Sequence, residues 1–270
     1  MRRQAVWAQR AAWWAVSLLG PRALPGRRAT WAPPLGDALW SELLGRWHRE
    51  LGEFETFAAY QRVQSERPGL MVLLLSRSGP VAFVKLRERD DGDVGNESRA
   101  LRRVRSFGPR SFSVPGVLLE QTLGDWTYLA LEALPPKRHG VPKRPPLDAV
   151  VEEIAAALAE QPRPPGVPAH WRPMHGDLTP SNLRELPGGR LVLFDWEDAG
   201  WGPPEADAAL YRATTAALGS ATPAPTAAEE AVDFWLKRLA SRPVTNERDR
   251  RLARALHDVL VAMRRGPARG

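Results

Sequence analysis

The chain has 270 residues, enough for one large domain or two lobes with a core, and 43% of them are hydrophobic, as in a globular protein. The lack of cysteine excludes disulfides, thiolate metal sites and a cysteine nucleophile, and it agrees with the cytoplasmic location that we expect. The net charge of +7 comes from the two ends: residues 1–50 hold eight arginines against three acidic residues, and residues 237–270 hold ten lysines and arginines against three. Residues 51–236 therefore carry −5, which does not favour a nucleic-acid enzyme, whose positive field would surround its active cleft.

The first fifty residues are predicted to be a helical extension of unknown role. Residues 6–19 are rich in Trp and Ala, but Arg10 interrupts them, and the run is shorter than the ~20 residues that a membrane span needs. We interpret it as an amphipathic helix packed on the body, with contact to a membrane surface as the second interpretation. No transmembrane segment is predicted. Prolines separate this helix from a second one, at residues 36–51.

From Phe54 onwards the pattern changes to the period of β-strands, interrupted by Pro, Gly and Ser turn signals. A capped amphipathic helix at residues 93–104 divides the strands into two groups. Residues 51–134 are therefore predicted to form a small antiparallel sheet with one helix, whose strands are residues 54–62, 70–76, 81–86, 114–119 and 126–134.

A connector rich in Pro and Lys, residues 135–146, leads into a helical pattern. Its apolar positions recur with a period of about 3.6, which is typical of helices that pack on a core. Residues 135–270 are therefore predicted to be mainly helical, with helices at residues 147–160, 205–218, 227–240 and 247–263. Together the two segments predict an α+β protein.

One stretch of the sequence, residues 174–198, holds the candidate catalytic and metal-binding residues. It holds Asp177, then Asn182 five residues on, then a short apolar run at 191–194 that ends on Asp195. Phosphoryl transfer needs a carboxylate that orients the attacking hydroxyl, and oxygen ligands that hold Mg²⁺ against the phosphates. Asp177 suits the first role, and Asn182 and Asp195 suit the second. Alone, the His-Gly-Asp tripeptide is also typical of a turn; the other two residues favour the site.

The segments HGDLTPSNL and LVLFDWEDAG resemble the aminoglycoside phosphotransferase and choline kinase-like family, which acts on small molecules. Protein kinases usually have Arg where Gly176 stands, and Asp-Phe-Gly where Asp195 is followed by Trp and Glu, so protein substrates are not favoured. The resemblance implies a two-lobed, protein-kinase-like fold with a sheet lobe at 51–134 and a helical lobe at 135–270. It also implies that His175 is a packed scaffold residue and that Asp207 anchors the catalytic loop.

The same resemblance implies a nucleotide site between the lobes, with ATP or GTP and Mg²⁺ as cofactors. Lys85 would bind the phosphates, Glu97 would orient Lys85, and the backbone from Glu132 to Leu134 would bind the adenine. Each residue has an alternative role: Lys85 as a solvated edge residue of the sheet, Glu97 as a first-turn glutamate favoured by the helix dipole, and Glu132 with Leu134 as a buried strand end. Residues 64–69 contain a single glycine where the family has a phosphate loop, which is a departure from its pattern.

The expected function is transfer of a γ-phosphate to a hydroxyl of a small molecule. Acidic and aromatic residues follow Asp195 and suit a cationic acceptor, such as an aminoglycoside, an amino sugar or a choline-like compound; they are Trp196, Glu197, Asp198, Trp201 and Glu205. The alternative is a catalytically inactive nucleotide-binding or scaffold protein with a kinase-like fold. The short phosphate loop and the basic ends support that alternative.

Overall fold

A computed structural model describes residues 33–61, 69–89, 94–135, 139–219, 226–242 and 247–265. The chain divides into two compact units, Met1–Trp47 and His48–Gly270. The helix predicted at 6–19 and most of the predicted phosphate loop at 64–69 lie outside the described residues.

Helix α1, Asp37–Leu51, begins in the first unit and agrees with the helix predicted at 36–51. Asp37 stands in its first turn and Arg49 in its last, so both charges complement the helix dipole. Within the first unit, the rings of Trp40 and Trp47 meet edge to face, 5.7 Å apart.

The second unit begins with an antiparallel sheet of five strands in the order β1-β2-β3-β5-β4. The strand predicted at 114–119 begins three residues later, because Pro115 has no N–H to donate to the ladder. The strands are β1 Thr56–Gln61, β2 Leu70–Ser76, β3 Gly79–Glu88, β4 Val117–Leu123 and β5 Trp126–Glu132.

The two faces of this sheet differ in chemistry. On one face Leu70, Val72 and Leu74 of β2 are fully buried, opposite apolar residues of β3. Because successive side chains of a strand alternate, Lys85 and Arg87 of β3 lie on the other face. Helix α2, Val94–Phe107, buries Glu97 on its inner side. Lys85 and Arg87 therefore lie on the face of the sheet that Glu97 contacts.

The rest of the unit is mainly helical, as predicted. It contains α3 Leu147–Ala157, α4 Ala206–Ala217, α5 Glu229–Ser241 and α6 Glu247–Arg265. Four strands of three residues form two antiparallel pairs, β6 Arg172–Met174 with β9 Gly200–Gly202 and β7 Leu183–Glu185 with β8 Leu191–Leu193. Of these four strands only β8 was predicted, as a short apolar run before Asp195. The other three are too short to show alternation. None of the described helices has the length and hydropathy to cross a bilayer.

Strand β8 is hydrogen-bonded to the loop between α2 and β4. Ser113, in the loop after α2, donates its backbone N–H to Leu191 O (2.9 Å) and accepts a bond from Leu193 N (2.9 Å). The end of β8 is therefore fixed relative to α2. Asp195 stands two residues after Leu193, the end of β8.

Candidate active site

Lys85 lies at the centre of a buried cluster of charges. Its Nζ donates to Glu97 Oε1 and Oε2 at 2.8 and 2.7 Å, and to Asp195 Oδ1 at 2.7 Å. Burial alone lowers the pKa of a lysine, but the carboxylates of Glu97 and Asp195 outweigh it, and the pKa of Lys85 is raised. Lys85 is only 5% exposed and paired, so the solvated alternative is excluded. The carboxylate of Glu97 is likewise buried and accepts bonds from Lys85.

The loop after β6 is held by Asp207, in the first turn of α4. The backbone N–H groups of His175 and Gly176 donate to Asp207 Oδ2 and Oδ1, at 2.7 and 3.1 Å. Gly176 has a φ of +80°, and a Cβ there would lie 2.0 Å from the carbonyl oxygen of Asp198. This position therefore requires glycine.

His175 is packed inside this loop. Its Nδ1 accepts a bond from Asp177 N (3.2 Å), so Nε2 carries the proton and donates to Phe194 O (3.3 Å). The ring also lies 4.5 Å from that of Trp196. Burial lowers the pKa of His175 to about 4, so its imidazole is neutral at pH 7. A neutral ring with both nitrogens in use positions the loop and does not take part in proton transfer.

Asp177 and Asn182 are joined directly. Asn182 Nδ2 donates to the backbone oxygen of Asp177 at 2.9 Å and to its Oδ2 at 2.8 Å. Because the amide nitrogen is used in this way, Asn182 Oδ1 points away from Asp177 and suits a cation. Burial, followed by the charge of Asp195, raises the pKa of Asp177 to about 7. A carboxylate with that pKa can accept a proton near neutrality.

Asp195 follows the end of β8 in a strained conformation. Its φ is +70°, in the left-handed region that residues other than glycine seldom adopt. The next backbone N–H, of Trp196, donates to Glu97 Oε1 at 3.3 Å. Strained backbone of this kind is concentrated at functional sites. The carboxylate of Asp195 and the amide oxygen of Asn182 are hard oxygen donors of the type that Mg²⁺ prefers, so the donor set fits this ion.

Comparison with known proteins identifies the family of this chain. The sequence pattern of the phosphotransferase enzyme family matches residues 99–234, just over half of the chain, which include Asp177, Asn182 and Asp195. This chain belongs to the phosphotransferase enzyme family. No curated protein matches it.

Solved structures of this kind of enzyme are similar to the chain in fold. A spectinomycin phosphotransferase, in complex with ADP and spectinomycin, is 10% identical, with a TM-score of 0.51 over 83% of this chain and 98% of its own. An aminoglycoside-3′-phosphotransferase of type VIII is 18% identical, with a TM-score of 0.45 over 83% and 98%. Choline kinase from Streptococcus pneumoniae is 13% identical, with a TM-score of 0.43 over 83% and 99%. The similarity to the spectinomycin phosphotransferase, together with the small antiparallel sheet and the helices, confirms the expected two-lobed, protein-kinase-like α+β fold.

In this family member, Glu132 is the last residue of β5 and Leu134 follows two residues later. They line a cavity of about 530 Å³ together with Val192 of β8 and the loop after α2. The carboxylate of Glu132 binds Arg105 at 2.8 and 3.2 Å and accepts the N–H of Gly116 at 2.8 Å. Its own N–H donates to Gly116 O at 2.9 Å. The carboxylate and the N–H of Glu132 are thus used within the sheet lobe, and the contact of the backbone from Glu132 to Leu134 with the adenine stays a prediction.

The acidic and aromatic residues after Asp195 do not form an open anionic surface in this phosphotransferase. Glu197 pairs with Arg87 (3.2 Å) and Asp198 with Arg238 (3.3 Å), while Glu205 accepts a bond from Ala228 N (3.3 Å). Trp196 is fully buried, and Trp201 lies against the guanidinium of Arg163. Sequence reasoning missed Arg87 and Arg238. A signal for Arg87 was present, because it stands two residues after Lys85 and so on the same face of β3.

Proposed function

We propose that this protein is a Mg²⁺-dependent small-molecule kinase that transfers the γ-phosphate of ATP or GTP to a hydroxyl group. The proposal depends above all on one observation. Glu97 of α2 and Asp195, which is 110 positions from Lys85, both bind the Lys85 ammonium group within 2.8 Å.

In the proposed reaction the residues have separate roles. Lys85 binds the phosphates and Glu97 orients it, while Asn182 and Asp195 are the protein ligands of the metal. When bound, Mg²⁺ would neutralise phosphate charge. The acceptor oxygen forms a bond to the γ-phosphorus as the bond from that phosphorus to the β,γ-bridging oxygen breaks. The hydroxyl proton passes to Asp177, and the nucleoside diphosphate leaves.

The raised pKa of Asp177 suits this role, since a base with a pKa near the working pH is the most effective. The described residues contain no group of three or more His, Asp or Glu side chains that could hold a metal, and the proposal requires only two protein ligands. Most of the catalytic effect would come from positioning and from charge neutralisation.

Thermal unfolding with and without Mg²⁺-ATP tests the nucleotide site, because a ligand that binds only the folded state raises its midpoint. We expect a magnesium-dependent rise in wild type that Asp195→Ala abolishes. Turnover is then measured as release of nucleoside diphosphate. A rise in the midpoint without turnover of any acceptor would favour the inactive nucleotide-binding protein, and no rise with any nucleotide would favour the scaffold protein.

The pairing of Glu197 and Asp198 with arginines affects which acceptors should be tested. Because Glu197 and Asp198 already have arginine partners, a polycationic acceptor would have to compete with Arg87 and Arg238 for them. Burial and the neighbouring carboxylates raise the pKa of Asp177, and the positive charge of Arg242, one turn beyond Arg238, opposes that rise. The acceptor screen should therefore use matched hydroxyl compounds of different charge: glucose, glucosamine and glucuronate, beside choline and an aminoglycoside.

A further inference from the structure

Arg87 is a buried cation with no role in the reaction as described above. It lies on β3, only 2% exposed, two residues after Lys85 and on the same face. Its Nη2 is 3.2 Å from Glu197 Oε2, and its Nη1 donates to Leu86 O at 3.3 Å. Burying a guanidinium is costly without such partners, so its position depends on Glu197.

The two cations of β3 pair in register with two carboxylates after β8. Lys85 binds Asp195, and Arg87 binds Glu197. In both pairs the partners are 110 positions apart in the chain. Residues 195–197 therefore run parallel to β3, with their carboxylates matched to its cations.

Gly69 makes room for this arrangement. A Cβ at position 69 would lie 2.1 Å from Arg87 Nη1 and 2.6 Å from Leu86 O. The single glycine of the stretch predicted as the phosphate loop is thus needed for close approach to the arginine.

Helix α2 holds the same segment from a second direction. Asn96 Nδ2 donates to the backbone oxygens of Glu197 and Ala199, at 3.0 Å each. The residue between the two carboxylates, Trp196, donates its N–H to Glu97. Three consecutive residues, starting with the left-handed Asp195, are therefore each tied to β3 or α2. A left-handed non-glycine residue costs roughly 1–2 kcal/mol and persists only under such restraint.

We propose that Arg87 and Glu197 form a positioning pair that keeps Asp195 in place for metal binding. This inference rests on the proposed function. Lys85 also holds Asp195, but in the proposed reaction Lys85 must bind the nucleotide phosphates. The proposed reaction gives Arg87 and Glu197 no contact with the reactants, so their pair would persist and hold the backbone of Asp195 when the Lys85 bond is exchanged for the metal.

The test is a Mg²⁺ titration of the thermal midpoint at fixed ATP, in the full chain. The variants are Arg87→Gln, Glu197→Gln and the double variant. We expect the apparent Kd for Mg²⁺ to rise about tenfold or more in each, as is usual when a group supporting a metal ligand is removed. The double variant should lose no more than either single variant, because the two residues act as one unit. Arg172→Gln with Glu152→Gln is the matched control, an exposed pair of 2.6 Å, and should leave the Kd unchanged.

A purely structural pair would behave differently. Its removal would lower the midpoint by the same amount with and without Mg²⁺ and would leave the Kd for Mg²⁺ unchanged, which would overturn the inference. Arg87→Lys, which keeps the charge, should recover part of the Mg²⁺ affinity that Arg87→Gln loses. If either glutamine variant does not fold, Glu197→Asp shortens the pair by one methylene and is subjected to the same titration. A wild type that does not respond to Mg²⁺-ATP would instead reject the proposed function, and the pair's role with it.

Discussion

Lys85 Nζ lies 2.7 Å from Asp195 Oδ1 and 2.7 Å from Glu97 Oε2, so one ammonium group bridges the carboxylate of α2 and the carboxylate that follows β8. Both lobes of the second unit thus meet at this lysine. Lys85 and Glu97 are buried and Asp195 is partly buried, so removing the lysine leaves two carboxylates without their cation.

Replacing Lys85 with methionine should therefore destabilise the protein. We expect a loss of about 3–5 kcal/mol in the free energy of unfolding, because Glu97 remains buried, and Asp195 partly buried, without their cation. Chemical denaturation at pH 7 measures the loss, and Lys143→Met, at an exposed position, is the control. A loss in Lys85→Met no larger than in the control would mean that the cluster does not contribute to folding.

Asp177→Asn should separate chemistry from binding. Asparagine keeps the size of the side chain and can still accept the bond from Asn182, so the fold and the Mg²⁺-ATP shift should remain. It cannot take the hydroxyl proton, so kcat should fall about 10²- to 10⁴-fold. Turnover and thermal unfolding are measured on the same preparation. Unchanged turnover would exclude Asp177 as the base.

His175 should make stability depend on pH. Its pKa is lowered from 6.5 to about 4 in the folded protein, so between these values the unfolded chain binds more protons. The contribution of His175 to stability is therefore lost as pH falls from about 6.5 to 4, by about 3 kcal/mol in total. Burial raises the pKa of Asp177 and of Asp207, and these two groups act in the opposite direction. Protonation of Nδ1 would also break its bond to Asp177 N.

Denaturation curves at several pH values between 7 and 4 measure this loss. The His175→Asn variant, which has no titrating ring, should lose less stability over that range than wild type. His257→Asn, on the exposed side of α6, should follow the wild-type curve. Equal slopes for wild type and His175→Asn would show that His175 is not the group responsible.

Gly176→Ala should disrupt the catalytic loop. Its left-handed backbone costs a non-glycine residue roughly 1–2 kcal/mol, and its Cβ would meet the Asp198 carbonyl oxygen at 2.0 Å. We expect a larger loss of stability than from strain alone, together with lower turnover. Gly188→Ala is a matched control, since Gly188 has a φ of +92° with nothing within 4 Å of the added Cβ. Equal losses in the two variants would mean that the loop can move away from Asp198.

Much of the site could be predicted because its signals are local. Asp177 and Asn182 are five residues apart on one loop, and Asp195 directly follows a short apolar strand, so spacing and residue type indicated them together. The strand with Lys85 and the helix with Glu97 also showed their own periods. The strands β6, β7 and β9 escaped prediction, since three residues carry no periodic signal.

Sequence alone thus determined the helices and the longer strands and which residue types suit phosphoryl transfer, because both depend on neighbours along the chain. Tertiary structure decided how the charges pair. Only folding brings Arg87 to Glu197 and Arg238 to Asp198, so carboxylates that suggested a cationic acceptor turned out to have partners. Only the folded chain sets the proton affinity of Asp177, since its pKa responds first to burial and then to charges that are distant in sequence.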